Sequence, residues 1–293
     1  MDTRPNLDFE AEATDSGGLK SLKWLVRSLP RVVGHSCFGP RHDPERRYNI
    51  LVVGVCVGQK TNYLGHLKAE FNRSKVHSIR QKWFVIDPSE RMPAVNSERL
   101  VQKVITRGIP KTLLINSLIE DEDLSKVDYL FVVDDDIKLP DGFLNAYMAT
   151  VSKLGFALSQ PARTYNSYIS HPITRRVPEL FGRRTFFVEI GPVVCFSKSL
   201  FSNLLPFDEG SPMGFGLDLV WPIIVEEMGL TMGIIDSVPV DHSLRPPGTN
   251  YNSKTMLSQM GEFLSGKAHA SPEEISVTLV RFPVQGSIRR GLW

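Results

Sequence analysis

The stretch Asp128-Tyr129-Leu130-Phe131-Val132-Val133-Asp134-Asp135-Asp136-Ile137 constrains this chain more than any other. Tyr129 to Val133, with Ile137 beyond, are apolar or aromatic, as a strand buried on both faces of a sheet requires. The run then stops in three consecutive carboxylates. Packed side by side they would repel one another and raise at least one pKa unless a cation sits among them. In an extended chain, side chains two apart share a face, so Asp134 and Asp136 are expected to point together and Asp135 away. Hard divalent cations such as Mg²⁺ or Mn²⁺ favour such oxygen ligands. The carboxyl end of a central strand is also where open α/β sheets place their ligands. A solvated acidic turn closed by Lys138-Leu139-Pro140-Asp141-Gly142 is the plainer reading, and the apolar run before the triplet argues against it.

Strand and helix signals alternate around this element. Tyr48 to Gly58 reads as a buried first strand, Asn62 to Phe71 as a helix, and Lys82 to Pro88 as a second buried strand ending at Asp87. Asp87 can reach a ribose or base from there, or simply cap the turn before Pro88. Pro110 to Ile119 and Gly142 to Val151 suit helices, with a short strand near Phe156 to Ser159. Alternation of this kind predicts an α/β fold with a mostly parallel sheet covered on both sides. Gly54 to Thr61 fails as a phosphate-binding P-loop. Three residues rather than four separate Gly54 and Gly58, and Gln59 stands where a glycine is needed before Lys60-Thr61.

Further along, Arg175, Arg176, Arg183 and Arg184 cluster among prolines and a glycine. As a loop, this segment could receive phosphate through Arg175 and Arg176, or be a solvated face. Phe186 to Ser197 reads as a strand pair broken at Gly191, a glycine suited to close approach of a ligand. Gly214-Phe215-Gly216-Leu217-Asp218 opens a helix with a single first-turn or capping acid. Gly233 to His242 reads as a late strand ending in Asp241-His242.

These pieces, in this order, resemble the nucleotide-sugar-dependent glycosyltransferases of the GT-A fold, and more closely a little-characterised glycosyltransferase-like group within it. The likeness rests on Asp134-Asp135-Asp136, the strand around Gly191, Gly216-Leu217-Asp218 with the late Gly-Ile-Ile-Asp-Ser strand, and His242, and it covers Tyr48 to Arg245. It implies a Rossmann-like catalytic domain that moves a sugar from a nucleotide diphosphate donor to a hydroxyl acceptor (glycan, lipid or other) with Mn²⁺ or Mg²⁺. Asp136 and His242 would then ligate the metal. Asp134 would face the ribose or hold metal-bound water, with Asp135 contributing, and Asp87 would touch the nucleoside. Asp218 would be the general base if the reaction inverts configuration. Many such proteins carry an acidic residue before the helix-start Asp, and here that position is Leu217. Two other readings stand beside this one: a metal-dependent phosphoryl hydrolase or nucleotidyltransferase, and a silent nucleotide-sugar or carbohydrate-binding module that kept the fold.

Composition narrows the partners. Lys plus Arg at 34 against Asp plus Glu at 32 leaves +2, so no overall field recruits nucleic acid. Cys37, Cys56 and Cys195 are scattered with no C-x-x-C pair, which fits a reducing, cytoplasmic setting. Residues 1–47 read as a polar arm, a basic amphipathic helix from Leu19 to Leu29, and a proline-rich linker. That helix can lie on an anionic membrane surface as a peripheral contact, or pack on its own domain. The expected catalytic domain spans 48–250. Residues 251–293 read as a helical tail, with helices at Lys254 to Leu264 and near Pro272 to Leu279 before a basic Arg289-Arg290.

Overall fold

A strand buried on both faces needs a layer of helices on each side, and the acidic strand has both. The computed structural model describes residues 31–32, 46–58, 60–87, 89, 97–106, 108–246 and 253–284. The basic helix expected over Leu19 to Leu29 and the Arg289-Arg290 pair lie outside the described residues. In chain order the strands are β1 (Arg31–Val32), β2 (Asn49–Val57), β3 (Ser78–Ile86), β4 (Leu100–Ile105), β5 (Tyr129–Asp134), β6 (Leu158–Arg163), β7 (Leu180–Thr185), β8 (Val193–Ser197), β9 (Met232–Val240) and β10 (Thr278–Pro283). They form one sheet in the order β1-β10-β7-β9-β6-β8-β5-β2-β3-β4. The helices are α1 (Leu64–Asn72), α2 (Lys111–Ile119), α3 (Phe143–Leu154), the single turn α4 (Phe201–Leu204), α5 (Leu217–Glu227), α6 (Ser253–Leu264) and the single turn α7 (Pro272–Ile275).

The period of two along the central strands sorts their side chains between the two layers. Phe131 and Val133 of β5 join Leu67 and Phe71 of α1 and Phe143 and Tyr147 of α3 on one face. Leu130 and Val132 join Leu114, Ile115 and Leu118 of α2 and Trp221 of α5 on the other. In β2, Val52 goes to the first face and Leu51 and Val53 to the second. Gly54 continues the first-face series without a side chain. A Cβ there would lie 2.2 Å from the Trp83 ring, so this glycine makes room for Trp83 inside the strand and serves no loop.

Strand direction decides where the functional groups gather. β2 pairs in parallel with both β3 and β5, and β3 with β4. β8 runs antiparallel to both its neighbours, β5 and β6, which therefore share one direction. β9 is parallel to β6. The carboxyl ends of β2 through β6 and of β9 thus open on one edge of the sheet, and the chain entering β8 starts from that same edge. The sheet is mixed rather than purely parallel, because β8, β7 and β10 each run against a neighbour.

Three local expectations change. The strand expected from Phe186 up to Gly191 lies earlier, as β7, and residues 186–192 are irregular. The arginine-rich composition hid it. Arg183 is buried in β7, where its Nε donates to Oδ2 of the buried Asp236 at 2.8 Å, and only Arg175 and Arg176 remain on a loop. In the tail, α6 forms as expected, but the second helix ends at Ile275 and Thr278–Pro283 adds to the sheet instead, antiparallel to β7. Among the described residues no helix is long and apolar enough to cross a membrane.

Candidate active site

The acidic triplet straddles the end of β5. Asp134 is the last strand residue, and Asp135 and Asp136 form the turn beyond it. Extended-chain alternation therefore stops at Asp134, and the expected pairing of Asp134 with Asp136 gives way to a different one. Asp134 faces Lys111 at the start of α2, with Oδ1 2.6 Å from Nζ. Asp135 and Asp136 instead share the guanidinium of Arg245.

Each of the two has a distinct job. Asp135 is buried; its Oδ2 accepts the Val57 amide at 2.8 Å and its carbonyl accepts the Tyr63 amide at 2.7 Å. It ties the end of β5 to the end of β2 and the approach to α1, and burial pushes its pKa up against the pull of Arg245. Asp136 faces outward to other groups. Its Oδ1 is 3.3 Å from Nε2 of His242, and its Oδ2 accepts from Nε of Arg245 at 3.2 Å. Burial alone would raise Asp136, but His242 and Arg245 outweigh it and hold the carboxyl below its ordinary value.

A short backbone ladder brings His242 to this position. Lys138, just past the triplet, and Asp241, just past β9, exchange amide-to-carbonyl hydrogen bonds of 2.9 and 3.1 Å. The His242 amide then donates to Oγ of Ser167 at 2.9 Å, and its carbonyl accepts the Tyr168 amide at 2.9 Å. Nδ1 of His242 is buried without a hydrogen-bond partner.

Asp136 and His242 fit the chemistry of a divalent cation as a pair. A carboxylate oxygen and an imidazole nitrogen converge, and Mg²⁺ is commonly bound through only one or two protein carboxylates, with phosphate oxygens and water completing the shell. Asp134 is not brought to that pair, and among the described residues no three His, Cys, Asp or Glu side chains form a closed cage.

Gly191 connects this cluster to the second acidic centre. A Cβ on Gly191 would lie 2.9 Å from Oδ2 of Asp134, so the close approach read from the sequence is to the triplet itself. Two residues earlier, Glu189 is ion-paired with the buried Arg163 at the end of β6. Between them, Ile190 packs against the turn that leads into Asp218, where a Cβ on Gly214 would lie 2.6 Å from its Cδ1. Asp218 is the second residue of α5, behind Gly214 and Gly216, whose positive φ of 90° each lets the chain turn into the helix. It is thus a first-turn acid rather than the cap. Only 9% of it is exposed, and burial first, then the charge of Glu189, push its pKa up to about 7.

The remaining sequence candidates stand further out. Asp87 is buried after β3 and accepts from the Ser89 amide at 2.9 Å and the Ser89 hydroxyl at 2.6 Å, the turn-capping arrangement. Arg175 and Arg176 are exposed; the Arg176 amide donates to the Arg163 carbonyl at 2.9 Å, beside the end of β6. Sequence reasoning passed over Lys111, Arg163, Glu189 and Arg245. Each carries an ordinary charge in an unremarkable local pattern, and only the shared sheet edge collects them.

No model of a known protein family matches the chain, and no curated protein is similar to it in sequence. Solved structures do match in architecture. The fold is similar to that of the mannosyltransferase PcManGT from Pyrobaculum calidifontis in complex with GDP-Man and Mn²⁺, with a TM-score of 0.51 and 14% identity over 88% of this chain and 73% of that one. It is also similar to GalNAc-T7 with UDP, GalNAc and Mn²⁺, with a TM-score of 0.50 and 10% identity over 74% of this chain and 48% of that one. The chain spans about half the length of GalNAc-T7. At these identities the likeness is one of fold, and the fold is GT-A.

Proposed function

We propose that this GT-A chain transfers a sugar from a nucleotide diphosphate donor to a hydroxyl acceptor, with the donor's diphosphate at the acidic triplet and the acceptor near Asp218. The observation that carries the reading is the pairing of two unlike acidic centres across one three-residue bridge. At one, carboxylates are matched by cations; at the other, burial and the neighbouring charge of Glu189 raise the pKa of the Asp218 carboxyl to about 7. Both solved GT-A structures named above contain a nucleotide or nucleotide sugar and Mn²⁺, which accords with the first centre.

In this reading Asp136 and His242 would hold a Mn²⁺ or Mg²⁺ ion. When bound, such an ion offsets the negative charge that develops on a departing diphosphate, for about several kcal/mol. Lys111 and Arg245 bring two further positive charges to the same edge, and a guanidinium suits phosphate oxygens through its planar donors. Asp218 takes the proton of the acceptor hydroxyl. The acceptor oxygen bonds to the anomeric carbon as the bond from that carbon to the diphosphate oxygen breaks, and the electron pair leaves with the diphosphate. A base with a pKa near 7 is well matched to neutral pH, and such help is worth roughly 10²–10⁴-fold.

A thermal-shift panel tests the reading. Nucleoside diphosphates and nucleotide sugars are added with Mn²⁺ or with chelator, because ligands that bind only the native state raise the melting midpoint. A metal-dependent rise with at least one nucleotide is expected. Flat midpoints across uridine, guanosine, adenosine, cytidine and thymidine diphosphates and their sugars would overturn it.

A further inference from the structure

Few large apolar side chains are left in water. Among the described residues they are Tyr165, Tyr168, Leu257 and Val284, and two of the four stand three residues apart just after β6. Tyr165 is 62% exposed and Tyr168 39%. A single exposed ring is ordinary, whereas neighbouring rings on a loop held by a rigid scaffold point to a binding surface. The scaffold here is firm. The Ser167 amide donates to the Thr164 carbonyl at 3.1 Å, which makes Tyr165 and Asn166 the central pair of a β-turn. Nδ2 of Asn166 donates to Oδ2 of Asp241 at 3.1 Å, and the Thr164 amide to the Val240 carbonyl at 2.9 Å. The turn is thus laced to the end of β9, where Ser167 and Tyr168 already hold the backbone of His242. With the backbone fixed, each tyrosine has only two side-chain torsions left to order on binding.

The turn also lies beside the path of the reaction. One guanidinium spans it and the 189–191 bridge: Nη1 of Arg163 donates to the Tyr168 carbonyl at 2.9 Å, and Nη2 to the Gly191 carbonyl at 3.0 Å. A sugar passing from a diphosphate at the triplet to a hydroxyl at Asp218 has to lie along that bridge. The bridge leads into β8, which separates β5 from β6, so this passage is on the β6 side of the triplet. The nucleoside half of the donor then extends the other way, toward β2 and β3, and the acceptor takes the side of the two tyrosines. A sugar ring suits such a surface, because one face of C–H groups lies flat on an aromatic ring while hydroxyls at its rim hydrogen-bond. Tyrosine offers an apolar body with a polar tip for both. A lipid chain would need continuous apolar surface, and the exposed Asn166 between the rings and the exposed Arg175 and Arg176 beside the end of β6 interrupt it.

We propose that Tyr165 and Tyr168 form a stacking platform for a saccharide, and that the hydroxyl acceptor of the transfer reaction is therefore itself a sugar. The proposal rests on the transfer reading given above, which supplies the reaction but leaves the acceptor open. The two rings hold the acceptor by its C–H face, and the polar groups of the turn meet its hydroxyls.

The test is saturation-transfer NMR on the full chain with Mg²⁺ and uridine or guanosine diphosphate. The probes are free mono- and disaccharides of glucose, galactose, mannose and N-acetylglucosamine. At least one should receive saturation on its ring C–H protons. The double change Tyr165→Ala with Tyr168→Ala should weaken that saccharide by about tenfold or more, as loss of aromatic contact area requires. Tyr165→Phe with Tyr168→Phe keeps the rings and should keep the contact. No saturation of any probe, or contact undiminished in the folded alanine variant, overturns the proposal. The metal-dependent midpoint rise given by nucleoside diphosphates should be the same in the alanine variant as in the wild type. If that rise falls instead, the rings stack on the nucleobase and the proposal is overturned. Failure of the transfer reading looks different: nucleotide midpoints are then flat in the wild type itself, whatever the saccharides do.

Discussion

Nε of Arg245 lies 3.2 Å from Oδ2 of Asp136, while Oδ1 of the same carboxylate faces Nε2 of His242 at 3.3 Å. One carboxylate is thus contested between a guanidinium and the imidazole with which it would hold a metal ion. Arg245→Ala should lower the melting midpoint in chelator, since Asp135 stays buried without its partner, at a cost of about 3 kcal/mol. Added Mn²⁺ should recover more stability in this variant than in the wild type, because the competing cation is gone. Thermal melts in Mn²⁺ and in chelator check this, and equal Mn²⁺ responses in the two proteins would show that guanidinium and ion do not compete.

Asp136→Ala should abolish the Mn²⁺-dependent midpoint rise given by a nucleoside diphosphate while the protein stays folded. His242→Ala should weaken the same rise by about tenfold in apparent affinity, about 1.4 kcal/mol. Its ring leaves Nδ1 unpaired, so its loss should cost little in the ligand-free fold. Should His242→Ala unfold the protein, the histidine is a packing residue.

Gly191→Ala separates donor binding from stability. The added methyl would meet Oδ2 of Asp134 at 2.9 Å, and that carboxylate can swing aside. The melting midpoint should change by the equivalent of about 1 kcal/mol or less, the lower end of overpacking costs. Nucleotide affinity should drop at least several-fold in the thermal-shift panel. A large loss of stability with undiminished affinity would assign Gly191 to packing alone.

Asp218→Asn should keep donor affinity and lower sugar transfer by about 10²-fold or more, because an amide cannot accept the acceptor's proton. It also carries a signature in stability. An aspartate in the unfolded chain titrates near 3.9, whereas folded Asp218 titrates near 7. The folded state therefore binds the extra proton between those values, and the wild type loses stability as pH rises from about 4 to about 7. The asparagine variant escapes that loss, so from pH 5 to pH 8 it should gain on the wild type by about 2–3 kcal/mol. Denaturant melts at the two pH values measure the difference, and a constant gap would place the Asp218 pKa near its ordinary value.

Arg183→Met tests the pair hidden in β7. Arg183 and Asp236 are both buried, and Asp236 also accepts the Val177 amide at 2.8 Å. Removing the arginine strands a buried carboxylate and should cost about 3–5 kcal/mol. The double change Arg183→Met with Asp236→Leu should recover part of that loss.

Apolar periodicity carried much of the fold. β2, β5 and β9 are long runs whose alternation between two helical layers is written in their own residues, so their ends, and with them Asp134 and His242, could be placed from sequence. β4 and β7 could not, because Lys103, Arg183 and Arg184 break the apolar pattern, and the buried partner that neutralises Arg183 comes from β9. The same limit applies to the site. Asp136, His242 and Asp218 stand at element ends, where a carboxylate or imidazole draws notice. Glu189 and Arg163 gain their meaning only from each other, across strands that sequence spacing does not relate. The triplet's geometry was misjudged for a local reason: the chain leaves extended conformation one residue before alternation would have paired Asp134 with Asp136.

The amide exchange between Lys138 and Asp241 also sets an order of events in biosynthesis. The triplet is synthesised well before His242 and Arg245, so a nascent chain that has completed β5 presents three carboxylates with only Lys111 in place among these cations. Domains tend to fold from the amino end as they emerge, and contacts distant in sequence close last. The half-sheet β2 to β5 can therefore assemble while its functional edge is still self-repelling. That repulsion ends only when β9 docks and the Lys138–Asp241 ladder zips shut. A ribosome-bound chain arrested just before β9 should be compact yet blind to Mn²⁺ and nucleotide.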